Sequence, residues 1–253
     1  MFPLTPPANN LEAEAPLPPE HLARRVGVPE TGGDVLEAYR RLGADSRSTI
    51  CSLLPAEWSF DGKRVLDFGS GAGKVLRHFL PEAERAELWG CDIDAEAIAW
   101  LSGNLCPPLH ACVNREKPPL EQPAGSFDLI WAVSVFTHLT RGWAPWLAEL
   151  HRVLCDGGLL IATFLGQAVW EPRTGRSWPG DDRVGMKVLD RRQGWDLGGP
   201  TVFHSERWLR RHWGRAFELV ELRHGEAPGE HGVVLMRRRP GSAGARQLRR
   251  RRG

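Results

Sequence analysis

One stretch limits what this chain can become: Arg64-Val65-Leu66-Asp67-Phe68-Gly69-Ser70-Gly71-Ala72-Gly73-Lys74, a short apolar run that breaks into glycines at alternate positions. Val65, Leu66 and Phe68 suit a buried parallel strand. Gly69, Gly71 and Gly73 let the backbone turn sharply and approach a ligand that any Cβ would block. Val75, Leu76, Phe79 and Leu80 then recur at helical spacing, predicting a helix over 73–80 that Pro81 stops. Strand, glycine turn and helix N-terminus together make a site for a nucleotide-like ligand at the carboxyl end of a sheet.

The rest of the chain can be placed around that turn. Residues 1–33 form a Pro-rich arm, expected to be disordered or loosely draped, because prolines among small and acidic residues resist both helix and ladder. Val35, Leu36, Tyr39, Leu42, Ile50, Leu53 and Leu54 suggest two helices split near Gly43, placed to cap the glycine turn. Further strands are expected at 86–92, 109–113, 127–133 and 159–164, with helices at 95–101 and 143–154 between them. The near-continuous apolar run Phe127–Val133 marks a central strand covered on both faces. A helix at 206–213 and strands at 217–222 and 233–236 complete the chain as a terminal hairpin. Strand alternating with helix predicts an α/β fold: Rossmann-like, doubly wound, with a mainly parallel seven-stranded sheet and a terminal antiparallel hairpin strand. One domain over 34–238 accounts for it. Within that domain, residues 166–204 lose periodicity while keeping Trp170, Trp178 and Trp195, which favours an ordered lid over the acceptor space.

Charge and cysteine content narrow the setting. Eight arginines fall in the last seventeen positions, so residues 1–236 carry a net charge of −6 although the 253-residue chain carries +2. A mildly acidic body does not suggest a groove that tracks nucleic acid, and residues 239–253 read as a basic, solvated, disordered tail. Cys51, Cys91, Cys106, Cys112 and Cys155 are scattered and never form a C-x-x-C pair, which argues against a metal cluster or a disulfide framework. With no apolar run of ~18 residues for a membrane span, a cytoplasmic protein is expected.

The glycine spacing Asp67-x-Gly69-x-Gly71-x-Gly73 differs from the dinucleotide pattern G-x-G-x-x-G and places an acid inside the turn. It resembles the first motif of class I S-adenosylmethionine-dependent methyltransferases. Asp92 closing the second strand, Phe127-Asp128-Leu129-Ile130 in the fourth, and Leu150-His151-Arg152-Val153-Leu154-Cys155-Asp156-Gly157-Gly158 before the fifth extend that resemblance over most of 35–238. It implies S-adenosyl-L-methionine as cofactor. It further implies that Asp92 holds the ribose hydroxyls, that Ile93 packs on adenine and that Asn114 meets the adenine edge. Gly69 and Gly71 would lie under the methionine part, Asp67 would suit an ammonium or sulfonium cation, Phe68, Ser70 and Gly73 would belong to the same cofactor-binding turn, and Ser134 with Val135 would line the pocket near sulfur. The chain lacks the Asn/Asp-Pro-Pro-aromatic motif of base-amine methylases, the paired-glutamate loop of protein arginine methyltransferases and the metal-site pattern of catechol-type enzymes. What remains resembles the small-molecule, type 11/12-like group acting on hydroxyls or amines.

A hydroxyl acceptor needs a base, and His138 and His204 are the candidates. The same residues admit plainer roles. Asp92 or Asp94 serves as a helix cap, Asn114 as a turn residue, His138 as a backbone-bonded structural histidine, and His204 with Glu206 as part of the cap of the helix that begins at Ser205. His151 is expected on the solvated face of its helix. Two rival readings remain at this level: transfer to RNA or protein assisted by the basic tail, and a cofactor-binding scaffold without catalysis. The oligomeric state is not legible.

Overall fold

The computed structural model describes residues 15–26, 34–194 and 198–239. The expectations for the first part of the arm, for Trp195 and for the tail beyond Arg239 lie outside those residues. Among the described residues are nine strands and seven α-helices. The strands are β1 (Arg64–Phe68), β2 (Glu87–Asp92), β3 (His110–Val113), β4 (Phe127–Ala132), β5 (Leu154–Phe164), β6 (Met186–Leu189), β7 (Thr201–His204), β8 (Phe217–Ala227) and β9 (His231–Arg238). The helices are α1 (Glu20–Arg24), α2 (Val35–Leu53), α3 (Ala95–Asn104), α4 (Trp143–Val153), α5 (Gln167–Thr174), α6 (Asp181–Val184) and α7 (Glu206–His212).

Seven strands form one sheet in the order β3-β2-β1-β4-β5-β9-β8, and β6 pairs with β7 as a separate hairpin. The first five strands run parallel, while β9 runs antiparallel to both β5 and β8. The doubly wound sheet with its terminal hairpin is therefore the architecture expected. Successive residues of the central strands feed opposite layers. Leu66, Phe68, Ile130 and Ala132 join a core with Trp146, Leu150 and Trp213. Val65, Leu129 and Trp131 join the core under α2 and α3, with Ile50, Phe79 and Leu101. Burial on both faces is what made these strands read as nearly unbroken apolar runs.

Local chemistry sets the helix starts. The Asp34 side chain accepts hydrogen bonds from the Leu36 and Glu37 amides, and Asp94 does the same for Glu96 and Ala97, satisfying donors that a first turn leaves unpaired.

Several expectations need correction. Residues 35–53 form one helix, unbroken at Gly43. A Cβ at Gly43 would stand 2.0 Å from the Lys74 carbonyl oxygen and 2.6 Å from His78, so this glycine marks a close crossing of two segments. The segment after the turn is a 3-10 helix, Leu76–Glu84, which runs through Pro81. Proline disturbs an i→i+3 ladder less than an α-helix, where its ring meets the carbonyl four residues back. His151 is buried and packs edge-on against Phe217 at 5.2 Å, not on a solvated face. The strand expected at 233–236 runs from His231 to Arg238, and the Arg238 guanidinium bonds the Leu154 carbonyl and pairs with Asp156.

The 166–204 segment is ordered where it is described. Trp170 stacks edge-on to Phe203 (5.1 Å) and to Trp178 (5.6 Å), and with Leu165 and Leu189 these form a small satellite core. Among the described residues no helix is long and apolar enough to cross a membrane, and no group of three or more metal-ligating side chains gathers.

Candidate functional site

The carboxyl ends of β1 to β4 converge on one edge. The glycine turn is tied to β2: the Gly69 and Ser70 amides donate to the Cys91 carbonyl at 2.8 and 3.1 Å, and the Gly71 amide donates to Asp92 Oδ2 at 2.8 Å. Gly69 has φ +85°, and a Cβ there would meet Val135 Cγ2 at 2.3 Å, so glycine permits both the left-handed turn and the close approach of Val135. Val135 follows Ser134, itself left-handed at φ +62°, whose amide donates to Thr163 Oγ1 at 2.7 Å.

Two acceptor atoms at this edge are buried without a partner among the described residues: Asp67 Oδ2 and Asn114 Oδ1. Buried acceptors are ordinarily satisfied, so each marks a place where a ligand donor belongs. Burial pushes the Asp67 carboxyl up to about 7, opposed in part by the Trp131 indole and Lys74. Asp92 accepts from Gly71 and, through Oδ1, from the Asp94 amide at 2.9 Å. Each oxygen keeps a second lone pair, so the carboxylate can still take two donors side by side. This pairing suits a vicinal diol.

Other candidates take different places. Phe68 is buried against Trp146 at 4.8 Å, and the Ser70 hydroxyl turns toward the Gly71 carbonyl and Gly90, so these two side chains serve the core and offer a ligand only backbone. Gly73 packs near Leu101 and Leu105. Ile93 is half-buried beside Asp92. Asp94 caps α3 and pairs with Arg25 at 3.0 Å, leaving Asp92 as the acid whose acceptor positions remain open.

His138 and His204 separate sharply. His204 is fully buried against Trp208 and Trp213, and neither ring nitrogen has a partner among the described residues. Desolvation holds its imidazole down to about 3. With no exposed nitrogen in this structure, His204 packs among tryptophans where an acceptor has no path to it, and His138 is the better placed of the two candidate bases. His138 lies in a turn after β4, not in a helix; its amide donates to the Val135 carbonyl at 3.0 Å. Its Nδ1 meets the Pro200 carbonyl at 3.0 Å, and burial lowers its pKa, opposed by that contact. A carbonyl can only accept, so Nδ1 carries the proton and Nε2 presents its lone pair.

The helical segment expected to cap the glycine turn does so through Tyr39, while sequence reasoning missed the share of the arm and of Lys74. Helix α1 sets Leu22 against Ala72 and Ala97, Lys74 Nζ donates to the Val26 carbonyl at 2.7 Å, and Tyr39 donates to the Ala72 carbonyl at 3.0 Å. Desolvation lowers Lys74 to about 8. Only its position directly after Gly73 could have drawn attention to it.

Residues 66–160 match the family model of the methyltransferase domain. This chain carries a class I S-adenosylmethionine-dependent methyltransferase domain. Two curated relatives are named malonyl-[acyl-carrier protein] O-methyltransferase. The one from Halorhodospira halophila is 31% identical over 136 residues, covering 51% of this chain and 44% of the relative. The one from Laribacter hongkongensis is 34% identical over 117 residues, covering 41% and 37%. The chain thus spans less than half the length of either. A solved S-adenosylmethionine-dependent methyltransferase from Mesorhizobium loti shares the fold, with a TM-score of 0.60 at 17% identity over 78% of this chain and 99% of that one. In the methyltransferase domain the cofactor is S-adenosylmethionine.

Proposed function

We propose that this chain transfers a methyl group to a small-molecule acceptor through a hydroxyl or amine, with His138 as the base. The observation that carries this reading is the 3.0 Å contact of His138 Nδ1 with the Pro200 carbonyl, which assigns the proton to Nδ1 and the lone pair to Nε2, one turn beyond the Val135 that lies over Gly69. The curated relatives are named as O-methyltransferases, which supports oxygen as the accepting atom.

Bound S-adenosylmethionine supplies a methyl group made electrophilic by positive sulfur. The chain's residues do the rest. Asp92 would hold the ribose, Asn114 Oδ1 would accept from the adenine amine, and Asp67 Oδ2 would accept from the ammonium. Val135 and the arm over the turn exclude water and fix the approach, the main contribution a protein makes to an in-line displacement. His138 Nε2 takes the acceptor proton while Pro200 stabilises the imidazolium that forms.

The test is transfer of labelled methyl into a metabolite extract, followed by pH profiles on the acceptor found. Because burial depresses His138, kcat/KM for a hydroxyl acceptor will rise with pH through a value below the ordinary histidine range of about 6.5 and then level off. His138→Ala will lower kcat by about 100-fold or more and remove that limb. Unchanged kcat removes the base and leaves positioning alone; no labelled product in any fraction leaves a scaffold.

Asp67 gives a second check that needs no turnover. Its carboxyl titrates near 7 and must be ionised to accept from an ammonium. Calorimetric affinity for S-adenosylmethionine will therefore weaken, approaching tenfold per pH unit, below about pH 7 and level off above it. Asp67→Asn will flatten the dependence. A flat profile in the unaltered protein would remove Asp67 from the ammonium site.

A further inference from the structure

The ordered insertion holds a cleft of about 650 Å³, well away in sequence from the glycine turn, walled by Trp170 and by the cations Arg173, Arg176, Arg183 and Lys187, with Asp190 as the acid among them. That volume falls within the range of small-ligand pockets. Arg173 is engaged, donating to Thr201 Oγ1 at 2.8 Å and facing Asp190 at 3.6 Å. The side chains of Arg176, Arg183 and Lys187 have no ion pair or hydrogen bond among the described residues, and all three are exposed. A body that is net negative without its terminal arginines therefore carries one concave patch of unpaired positive charge, an arrangement that draws and concentrates anions.

We infer that this cleft binds the phosphate group of a small organic phosphate ester, which serves as the methyl acceptor. Two guanidinium groups and an ammonium exceed the charge of one carboxylate by two but that of a phosphate dianion by only one, and planar guanidinium forks fit phosphate oxygens in pairs. The indole of Trp170, whose Nε1 is occupied by the Ser177 carbonyl, supplies an apolar wall for the organic part. The cleft communicates with the proposed base. Thr201, which Arg173 bonds, follows Pro200, whose carbonyl holds His138, and the Val202 amide donates to the Thr137 carbonyl at 2.7 Å. The Arg173 charge also bears on the His138 imidazole. One strand entry thus joins the anion cleft to the reacting edge.

The assignment of the bound ester as acceptor rests on the methyl-transfer reading; the binding itself does not. Calorimetry at low salt with phenyl phosphate, phenol and benzoate as probes separates the two. Phenyl phosphate will bind the full chain, at least tenfold more tightly than benzoate or phenol, and the Arg183→Ser/Lys187→Ser double variant will lose at least tenfold in affinity. Arg176→Ser, placed in the loop between α5 and α6, will lose severalfold and covers the case in which the double variant fails to fold, judged by far-UV dichroism. Equal phenyl phosphate affinity in the unaltered and variant proteins overturns the inference, as does phenol binding as tightly as phenyl phosphate. A short RNA bound more tightly than phenyl phosphate and released by the same substitutions overturns it in favour of nucleic acid. If phenyl phosphate binds as described but no phosphate ester accepts labelled methyl, the site stands and the acceptor reading falls.

Discussion

Asp92→Ala will weaken S-adenosylmethionine binding by at least ~100-fold in calorimetry, with the far-UV spectrum retained. Two losses combine. The carboxylate offers two open acceptor positions to the ribose diol, and hydrogen bonds to a charged acceptor contribute about 1.5–3 kcal/mol each. The same group ties the turn to the start of α3, through the Gly71 amide at 2.8 Å and the Asp94 amide at 2.9 Å. At about 1.4 kcal/mol per factor of ten, losing both ribose contacts alone reaches a hundredfold. Asp92→Asn will recover only part of the affinity, because the amide nitrogen donates where the ribose hydroxyls must also donate. Affinity within threefold of the unaltered protein would mean that the ribose is anchored elsewhere. Asp94 could not replace it without giving up Arg25.

The second large effect concerns stability and turns on sign. Alanine in place of glycine inside a helix ordinarily stabilises by up to ~1 kcal/mol. Gly103→Ala in α3 will behave so, since a Cβ there meets nothing within 4 Å. Gly43→Ala in α2 will do the reverse. Its Cβ would stand 2.0 Å from a backbone oxygen, and the 74–78 segment that must yield also carries Lys74 and the glycine turn. Forcing a methyl into a closed contact costs about 1–3 kcal/mol, and in a chain of this size each kcal/mol lowers Tm by about 2–4 °C. Thermal melts of the two variants will therefore move apart from the parent in opposite directions. A Gly43→Ala protein that melts at or above the parent would show that the crossing is loose.

Gly43 and His204 were hard to read for a common reason. Gly43 has the local character of a helix breaker, yet the contact that requires it comes from residues more than thirty positions later. His204 could be proposed as a base or as part of a helix cap from its neighbours alone, but its surroundings are set by Trp208 and Trp213, which the return of α7 onto the sheet brings against it. Parallel strands were legible because double burial writes itself into each strand separately. The insertion was not, because Trp170 finds Phe203 across 33 positions with no repeating pattern between them. At the candidate edge, the positions of Asp92 at the end of β2 and Asn114 just after β3 could be placed from the sequence. Arg25 and Lys74 could not, since a clamp formed by an arm leaves no local period.

The reversal of β9 has a practical side. His231, its first residue, sits at the end of the sheet that carries Gly69, while Arg238, its last, pairs with Asp156 at the opposite end, seven steps or roughly 24 Å away at 3.4 Å per residue. The described chain therefore leaves the protein from behind, with the full thickness of the sheet between its exit and the reacting edge. A dye, a bead or another protein fastened at Arg239 itself starts from the rear of the sheet, away from the edge that carries Gly69.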